Sequence, residues 1–248
     1  MTRTLVIIPA FNEEEALPGA LAALRTERPD LDVVVVDDGS DDATGVVARA
    51  GGAAVVTLPY NLGIGGALRA GFRYAVRHGY ERAVQFDGDG QHEPRSIAQL
   101  EAGLERGADL VIGSRFAATD EYTVSQARGL AMGLLRGLVR VLTGERFTDT
   151  TSGFRGFSSE MLEFFGLHYP VEYMESVEAL ILAHGAGFQV VETPVTMSER
   201  EAGVASNRGL RLAYHFCRVL VVMSVSKGAM RRPGLPGASS TEPTGGGR

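Results

Sequence analysis

The chain predicts an α/β fold in which a mainly parallel sheet is flanked by helices. Two observations carry that prediction. Short β-branched runs alternate with helical segments through the first half of the 248 residues, and this spacing calls for crossover connections between parallel strands. The runs are also apolar enough to be buried on both faces.

The elements follow in order. Leu5–Ile8 reads as the first strand, closed by Pro9, and Glu13–Arg25 as the helix after it. Val33–Val36, Ala54–Thr57, Ala83–Phe86 and Leu110–Ile112 supply four more strands, with Asp42–Ala50, Gly65–His78 and Ser96–Arg106 as the intervening helices. Gly51, Gly79 and Gly107 stand where left-handed helix caps are expected. After about residue 115 the rhythm changes. Ser125–Leu142 looks helical, Phe147–Phe157 is rich in Gly, Thr and Ser, Tyr173–His184 is an amphipathic helix and Phe188–Glu192 a further strand. Leu210–Ser226 is apolar on most faces, broken by Arg211 and Arg218. From Arg231 onward Pro, Gly, Ser and Thr dominate, the composition of a disordered tail.

Composition excludes several classes of function. A hydrophobic content of 44% with 22% charged residues rules out disorder as the main state, and a net charge of −6 argues against a general nucleic-acid binder. Cys217 is the lone cysteine, so there is no internal disulfide framework or Cys-rich metal site. Lys227 is the only lysine, which removes Schiff-base and P-loop lysine chemistry from everything before it. The apolar run at Leu5–Ile8 is far shorter than the core of a signal peptide. Val219–Val225 is too short to span a bilayer, so the chain is expected not to cross a membrane by itself.

Polar residues gather at the strand ends, where parallel sheets bind ligands. The second strand ends in Asp37-Asp38-Gly39-Ser40-Asp41-Asp42 and the fourth in Asp87-Gly88-Asp89-Gly90-Gln91-His92. Two carboxylates one residue apart on a glycine-flanked turn, Asp87 and Asp89, suit a hard divalent cation, Mg²⁺ or Mn²⁺, with Gln91 adding a neutral oxygen. A solvated Asp-Gly turn is the plainer alternative; the second acidic strand end nearby favours metal. Asp37 and Asp38 suit a ribose or base, while Ser40 or Asp41 caps the next helix. The Asn61-to-Gly66 run fits either a phosphate-cradling loop or glycines that let a helix pack closely on the sheet. Arg115, ending the fifth strand, has the planar fork that phosphate oxygens prefer, and Arg128, Arg155 and Arg200 add to that field. His92 differs from the other histidines in sitting within the acidic loop. Phe154, Phe157, Phe164 and Phe165 read as core.

These pieces together resemble an inverting family 2 glycosyltransferase, most of all the branch of dolichyl- and polyprenyl-phosphate sugar synthases. The matching motifs run in order from about residue 5 to 205: Pro9-Ala10-Phe11-Asn12-Glu13, Asp37-Asp38-Gly39-Ser40-Asp41, Asn61-Leu62-Gly63-Ile64-Gly65, Asp87-Gly88-Asp89-Gly90-Gln91-His92, Gly113-Ser114-Arg115, Asp149-Thr150-Thr151-Ser152-Gly153-Phe154-Arg155 and Glu192-Thr193-Pro194-Val195. The resemblance implies a GT-A fold, with a Rossmann-like sheet and a C-terminal helical extension. It implies that Pro9, Phe11, Glu13, Asp38 and Gly65 hold the nucleotide, with Asp37 near the base. Asp87, Asp89 and Gln91 would surround the metal and donor diphosphate, and Arg115 would face phosphate. Asp149, Ser152, Arg155 and Glu178 would line the acceptor side, and Arg200 would lie on a loop that closes over the diphosphate. Gly203-Val204-Ala205-Ser206 departs from the family's run there, losing a hydroxyl at Ala205.

The expected activity is metal-dependent transfer of a hexose from a UDP- or GDP-sugar to polyprenyl phosphate, with inversion. An ionised lipid phosphate needs no general base. A saccharide hydroxyl, the alternative acceptor in cell-envelope polysaccharide synthesis, needs a carboxylate, for which Asp149 is the first candidate. A non-catalytic sugar-nucleotide-binding subunit is the third reading, and the intact Asp87/Asp89 pair argues against it. Residues 1–205 would form the catalytic domain, 206–230 a helix that lies on a membrane surface or binds a small membrane-protein partner, and 231–248 the tail. The expected location is cytoplasmic, peripheral at the inner face of the membrane.

Overall fold

A computed structural model describes residues 2–116, 126–171 and 175–196, with backbone alone for 126–132. Arg200, the Gly203–Ser206 run, the Leu210–Ser226 helix within 206–230 and the tail from Arg231 lie outside the described residues, as does the side chain of Arg128.

Seven strands form one sheet among the described residues: β1 (Thr4–Ala10), β2 (Asp32–Asp37), β3 (Ala54–Thr57), β4 (Arg82–Gln85), β5 (Leu110–Ser114), β6 (Arg155–Ser158) and β7 (Val190–Pro194). Their order is β3-β2-β1-β4-β6-β5-β7. The helices are α1 (Leu17–Glu27), α2 (Thr44–Ala50), α3 (Ile64–Arg77), α4 (Ile97–Glu105), α5 (Gln126–Thr143), α6 (Ser159–His168) and α7 (Glu175–Gly185). The mainly parallel sheet flanked by helices expected from the sequence is the one observed.

Four of the five expected runs are buried on both faces; β3, at the sheet edge, has no buried residue, because only one neighbour covers it. Leu5, Ile7, Val34, Val36, Ala83, Leu110 and Ile112 join one core, shared with α3, α5, α6 and α7. The alternate positions Val6, Ile8, Val35, Val84 and Val111 join a second core with α1, α2 and α4. Side chains of a strand point alternately up and down, so a strand sandwiched between helix layers must be apolar at every position. Phe157, Phe164 and Phe165 are buried in the first core and Phe154 in the second, as expected.

Three details differ from expectation. β1 continues through Pro9 to Ala10, with Pro9 in register with Val36. At the end of α2 it is Gly52, at φ +75°, that turns left-handed, while Gly51 stays helical; Gly79 and Gly107 cap as expected. The third is β6, which the sequence did not announce. It enters the sheet between β4 and β5, antiparallel to both. Its segment, Arg155-Gly156-Phe157-Ser158, has no apolar run, and Ser158 then caps α6 by accepting the Met161 N–H.

Candidate active site

In the order β3-β2-β1-β4 the chain reverses its direction of travel across the sheet between β1 and β4, and ligands bind at such switch points beyond the strands' carboxyl ends. A cavity of about 370 Å³ lies there, lined by Pro9, Phe11 and Glu13 after β1, Asp38 after β2, Ile64 and Ala67 of α3, and Asp87, Asp89 and Gln91 after β4. Seven of the residues expected at the nucleotide and metal, Pro9, Phe11, Glu13, Asp38, Asp87, Asp89 and Gln91, thus line one cavity. Phe11 is 42% exposed, an aromatic face open to a base.

Asp38 and Asp37 divide the work. Asp38 lines the cavity and accepts the Leu62 N–H at 2.8 Å, which ties the loop before α3 to the cavity floor. Burial pushes its carboxyl above the usual carboxylate range, helped by the charge of Asp37 and opposed by the Leu62 and Gly63 amides. Asp37 does not line the cavity. Its Oδ1 accepts the Ser40 N–H, and a Cβ on Gly45 would stand 2.8 Å from its Oδ2, so it braces the turn and the start of α2. Asp42, rather than Ser40 or Asp41, receives the Thr44 N–H at the head of that helix.

Gly65, expected at the nucleotide, is not among the residues lining the cavity and has a packing role. A Cβ there would lie 2.2 Å from the Pro170 carbonyl oxygen and 2.7 Å from the Val171 Cα, so only glycine lets α3 sit against residues 170–171.

Around β4 the turn is held from within. The His92 ring is buried beside Phe86 and Phe154, with centroids 5.4 and 4.7 Å away. Its Nδ1 accepts the Asp87 N–H at 3.0 Å, which places the ring proton on Nε2, 3.6 Å from Asp87 Oδ2. Burial pushes the His92 pKa down, against the pull of Asp87 and Asp89, so the ring is neutral. Asp89 Oδ1 accepts the Gln91 N–H at 3.1 Å, which folds the Asp-Gly-Asp-Gly turn back on itself.

A divalent cation fits this donor set. Two carboxylates and a side-chain amide line one cavity, all hard oxygen donors. Among the described residues no group of three or more acidic, His or Cys side chains encloses a metal. An open set of this kind is what Mg²⁺ and Mn²⁺ use when substrate phosphates complete their coordination.

Across the sheet, beyond β5, a second cluster forms. Arg115 Nε donates to Asp149 Oδ2 at 2.9 Å and its NH2 faces Oδ1 at 3.4 Å, while Thr151 Oγ1 also donates to Oδ1. Asp149 is completely buried, and Arg115 keeps 25% of its side chain exposed. Arg115 is not among the residues lining the cavity at the switch point.

Arg155 is corrected from an acceptor contact to a scaffold. It is 0% exposed and donates to the main-chain oxygens of Ser152 (2.7 Å), Ser176 (2.8 Å) and Thr150 (3.2 Å), so no ligand touches it in this arrangement. Ser152 is buried too, its hydroxyl accepting the Phe154 N–H. Glu178 is a buried residue of α7. The residue with no role assigned from sequence is Glu192, whose carboxylate receives the Thr148 and Asp149 amides and the Thr148 hydroxyl. Its signal in the sequence was its place at the head of the Glu192-Thr193-Pro194-Val195 motif.

Comparison with known proteins agrees with this architecture. Residues 5–165 match the family described as glycosyl transferase family 2. The chain is 36% identical over 216 residues to polyprenol monophosphomannose synthase of Mycolicibacterium smegmatis, covering 84% of this chain and 82% of that protein. It is 35% identical over 223 residues to undecaprenyl-phosphate mannosyltransferase of Micrococcus luteus, covering 84% and 88%. Glucosyl-3-phosphoglycerate synthase of Mycobacterium tuberculosis, solved with Mn²⁺, uridine diphosphate and glucosyl-3-phosphoglycerate, superposes with a TM-score of 0.66 at 22% identity, covering 94% of this chain and 82% of that one. That likeness is one of fold. With the family match and the two relatives, it makes this chain a family 2 glycosyltransferase with the GT-A fold.

Proposed function

We propose that the protein transfers a hexose from a nucleotide sugar to polyprenyl phosphate, with inversion at the anomeric carbon. The observation that carries the choice of acceptor is the Arg115–Asp149 pair. A hydroxyl acceptor needs a carboxylate to take its proton. Asp149, the candidate for that task, is fully buried with both oxygens turned to Arg115. A phosphate monoester is already ionised at neutral pH and attacks without a base, and an arginine fork is the side chain suited to receive it. The similar proteins of M. smegmatis and M. luteus are named for polyprenyl-phosphate acceptors, which supports the same reading.

On this reading the donor lies across the switch point, its base against Phe11 and Asp38 and its diphosphate toward Asp87, Asp89 and Gln91. A divalent cation bound there offsets charge on the leaving nucleoside diphosphate. The acceptor phosphate oxygen forms the new bond to the anomeric carbon as the bond to the donor's diphosphate breaks on the opposite face. Glu13 holds the mouth of the cavity, and Ser152 and Glu178 shape the acceptor side from within. The donor is a UDP- or GDP-hexose, and the acceptor brings the protein to a membrane surface.

The test is a transfer assay with UDP- and GDP-hexoses and Mn²⁺ or Mg²⁺, supplying either polyprenyl phosphate or a saccharide. Product formed on the lipid phosphate alone is the expected result. Efficient transfer to the saccharide with none to the lipid would overturn the proposal.

A further inference from the structure

We propose that Glu192 is a positioning residue that sets the phosphate-facing guanidinium of Arg115, by anchoring both that arginine's main chain and its partner Asp149. The inference rests on the reading of Arg115 as a phosphate contact. Glu192 lies on β7, in register with Ile112 of β5, three residues short of Arg115.

Its carboxylate holds Asp149 directly. Oε1 accepts the Asp149 N–H at 2.8 Å, and the two oxygens share the Thr148 N–H at 2.9 and 2.7 Å. The same carboxylate reaches Arg115 through two hydroxyls. Thr148 Oγ1 stands 3.0 Å from Glu192 Oε2, and a carboxylate only accepts, so the single Thr148 hydroxyl proton points to Glu192. Ser114 Oγ, 2.7 Å from Thr148 Oγ1, must then be the donor in that contact. That leaves a Ser114 lone pair for the Phe116 N–H, which it accepts at 3.1 Å. Every proton in the chain from Phe116 through Ser114 and Thr148 to Glu192 is thereby assigned. The chain grips the main chain on both sides of Arg115, while the direct bonds grip the main chain of the aspartate that orients its side chain.

Without this anchor the Arg115–Asp149 pair would still form, but its place relative to the nucleotide cavity would not be fixed. Displacement of a binding group by about 1 Å costs on the order of 100-fold in rate. Glu192→Gln turns an amide NH2 toward main-chain N–H donors and breaks the pattern with almost no change in volume.

The experiment compares wild type, Glu192→Gln, Arg115→Lys and the double variant. It measures kcat and KM with geranylgeranyl phosphate in detergent, the Kd of UDP and GDP with Mn²⁺ by calorimetry, and the melting temperature. Glu192→Gln is expected to lower kcat/KM for the prenyl phosphate on the order of 10- to 100-fold, with nucleotide affinity unchanged. The double variant should be no worse than Arg115→Lys alone, because the two residues act through one guanidinium. A nucleotide Kd weakened equally by Glu192→Gln and Arg115→Lys would also support the proposal, with the donor diphosphate as the phosphate source. Effects of the two substitutions that multiply would overturn it. So would an impaired Arg115→Lys beside a wild-type Glu192→Gln, and this leaves the phosphate reading of Arg115 standing. A silent Arg115→Lys overturns that reading and the proposal together. If Glu192→Gln does not fold, Thr148→Val cuts only the hydroxyl link; it should lower acceptor kcat/KM, and Thr148→Ser should restore it. Wild-type kinetics in Thr148→Val would then overturn the proposal.

Discussion

Asp87 is confined from two sides, by its own loop and by a residue distant in sequence. His92 holds its amide from one side, and on the other a Cβ at Gly153 would stand 2.9 Å from Oδ2 and 3.4 Å from Oδ1, with Gln85 Nε2 at 3.1 Å. Gly153→Ala should therefore displace a metal-ligand carboxylate. The expected result is Mn²⁺–nucleotide binding weakened about tenfold and a stability loss of about 1–3 kcal/mol from overpacking, checked by calorimetry and thermal melts. Asp89 has a different balance. It lines the cavity and its Oδ1 accepts the Gln91 N–H of its own turn, so Asp89→Ala should abolish transfer and metal-dependent nucleotide binding while costing about 1 kcal/mol in stability. Full activity of Asp89→Ala in the presence of a chelator would exclude the metal role. Asp87, Asp89 and Asp38 stood out in the sequence as acids at parallel-strand ends, where ligands collect, but that pattern did not separate Asp38, which lines the cavity, from Asp37, which braces the turn. Arg115 and Asp149 were each legible, but their pairing was not, since 34 residues separate them and only the fold brings them together. Glu192 was legible as part of a motif and silent as to role, because its partners are main-chain amides that any sequence supplies.

The elements show the same division between what a local pattern dictates and what neighbours impose. Five parallel strands announced themselves as short, largely apolar runs, and the strand at Val190–Pro194 was found two residues early. β6 had no such run because its burial comes from being inserted between β4 and β5. Its first residue is a charged side chain with no exposure at all, in register with Gln85. Burial works against the charge of Arg155, while Tyr169, Glu175, Asp149 and Glu192 nearby favour it. The guanidinium instead gathers the carbonyls of Thr150, Ser152 and Ser176, which ties the loop before β6 to the head of α7. Arg155→Met keeps much of the volume and removes the donor that those three oxygens share, at about 1–3 kcal/mol for each buried group that it leaves unsatisfied. The expected outcome is a chain destabilised by several kcal/mol in denaturant, with loss of activity tracking loss of fold. An Arg155→Met protein that melts like wild type yet fails to bind acceptor would return Arg155 to the acceptor side.

At the scale of the whole molecule, the sheet sets two chemistries side by side. The switch point between β1 and β4 offers the nucleotide cavity, and β5 with β7 carries the arginine two strands further on. A donor dissolved in water and an acceptor held in a bilayer can meet there only if the protein reaches the membrane surface. Among the described residues no helix is long and apolar enough to cross a membrane. We propose that Leu210–Ser226, outside the described residues and mostly apolar in sequence but for Arg211, His215, Arg218, Ser224 and Ser226, is an interfacial helix with Leu212, Phe216, Val219 and Leu220 toward the lipid and the arginines at anionic headgroups. Its partition should then depend on both the apolar side chains and the lipid charge. The full chain is expected to co-float with vesicles containing anionic lipid, less so with neutral vesicles or at high salt, and a chain ending before Leu210 is expected to stay behind. Equal flotation of the two chains would move the membrane contact elsewhere in the protein. Flotation of neither, in a protein that still glycosylates polyprenyl phosphate in detergent, would assign membrane delivery to a partner protein.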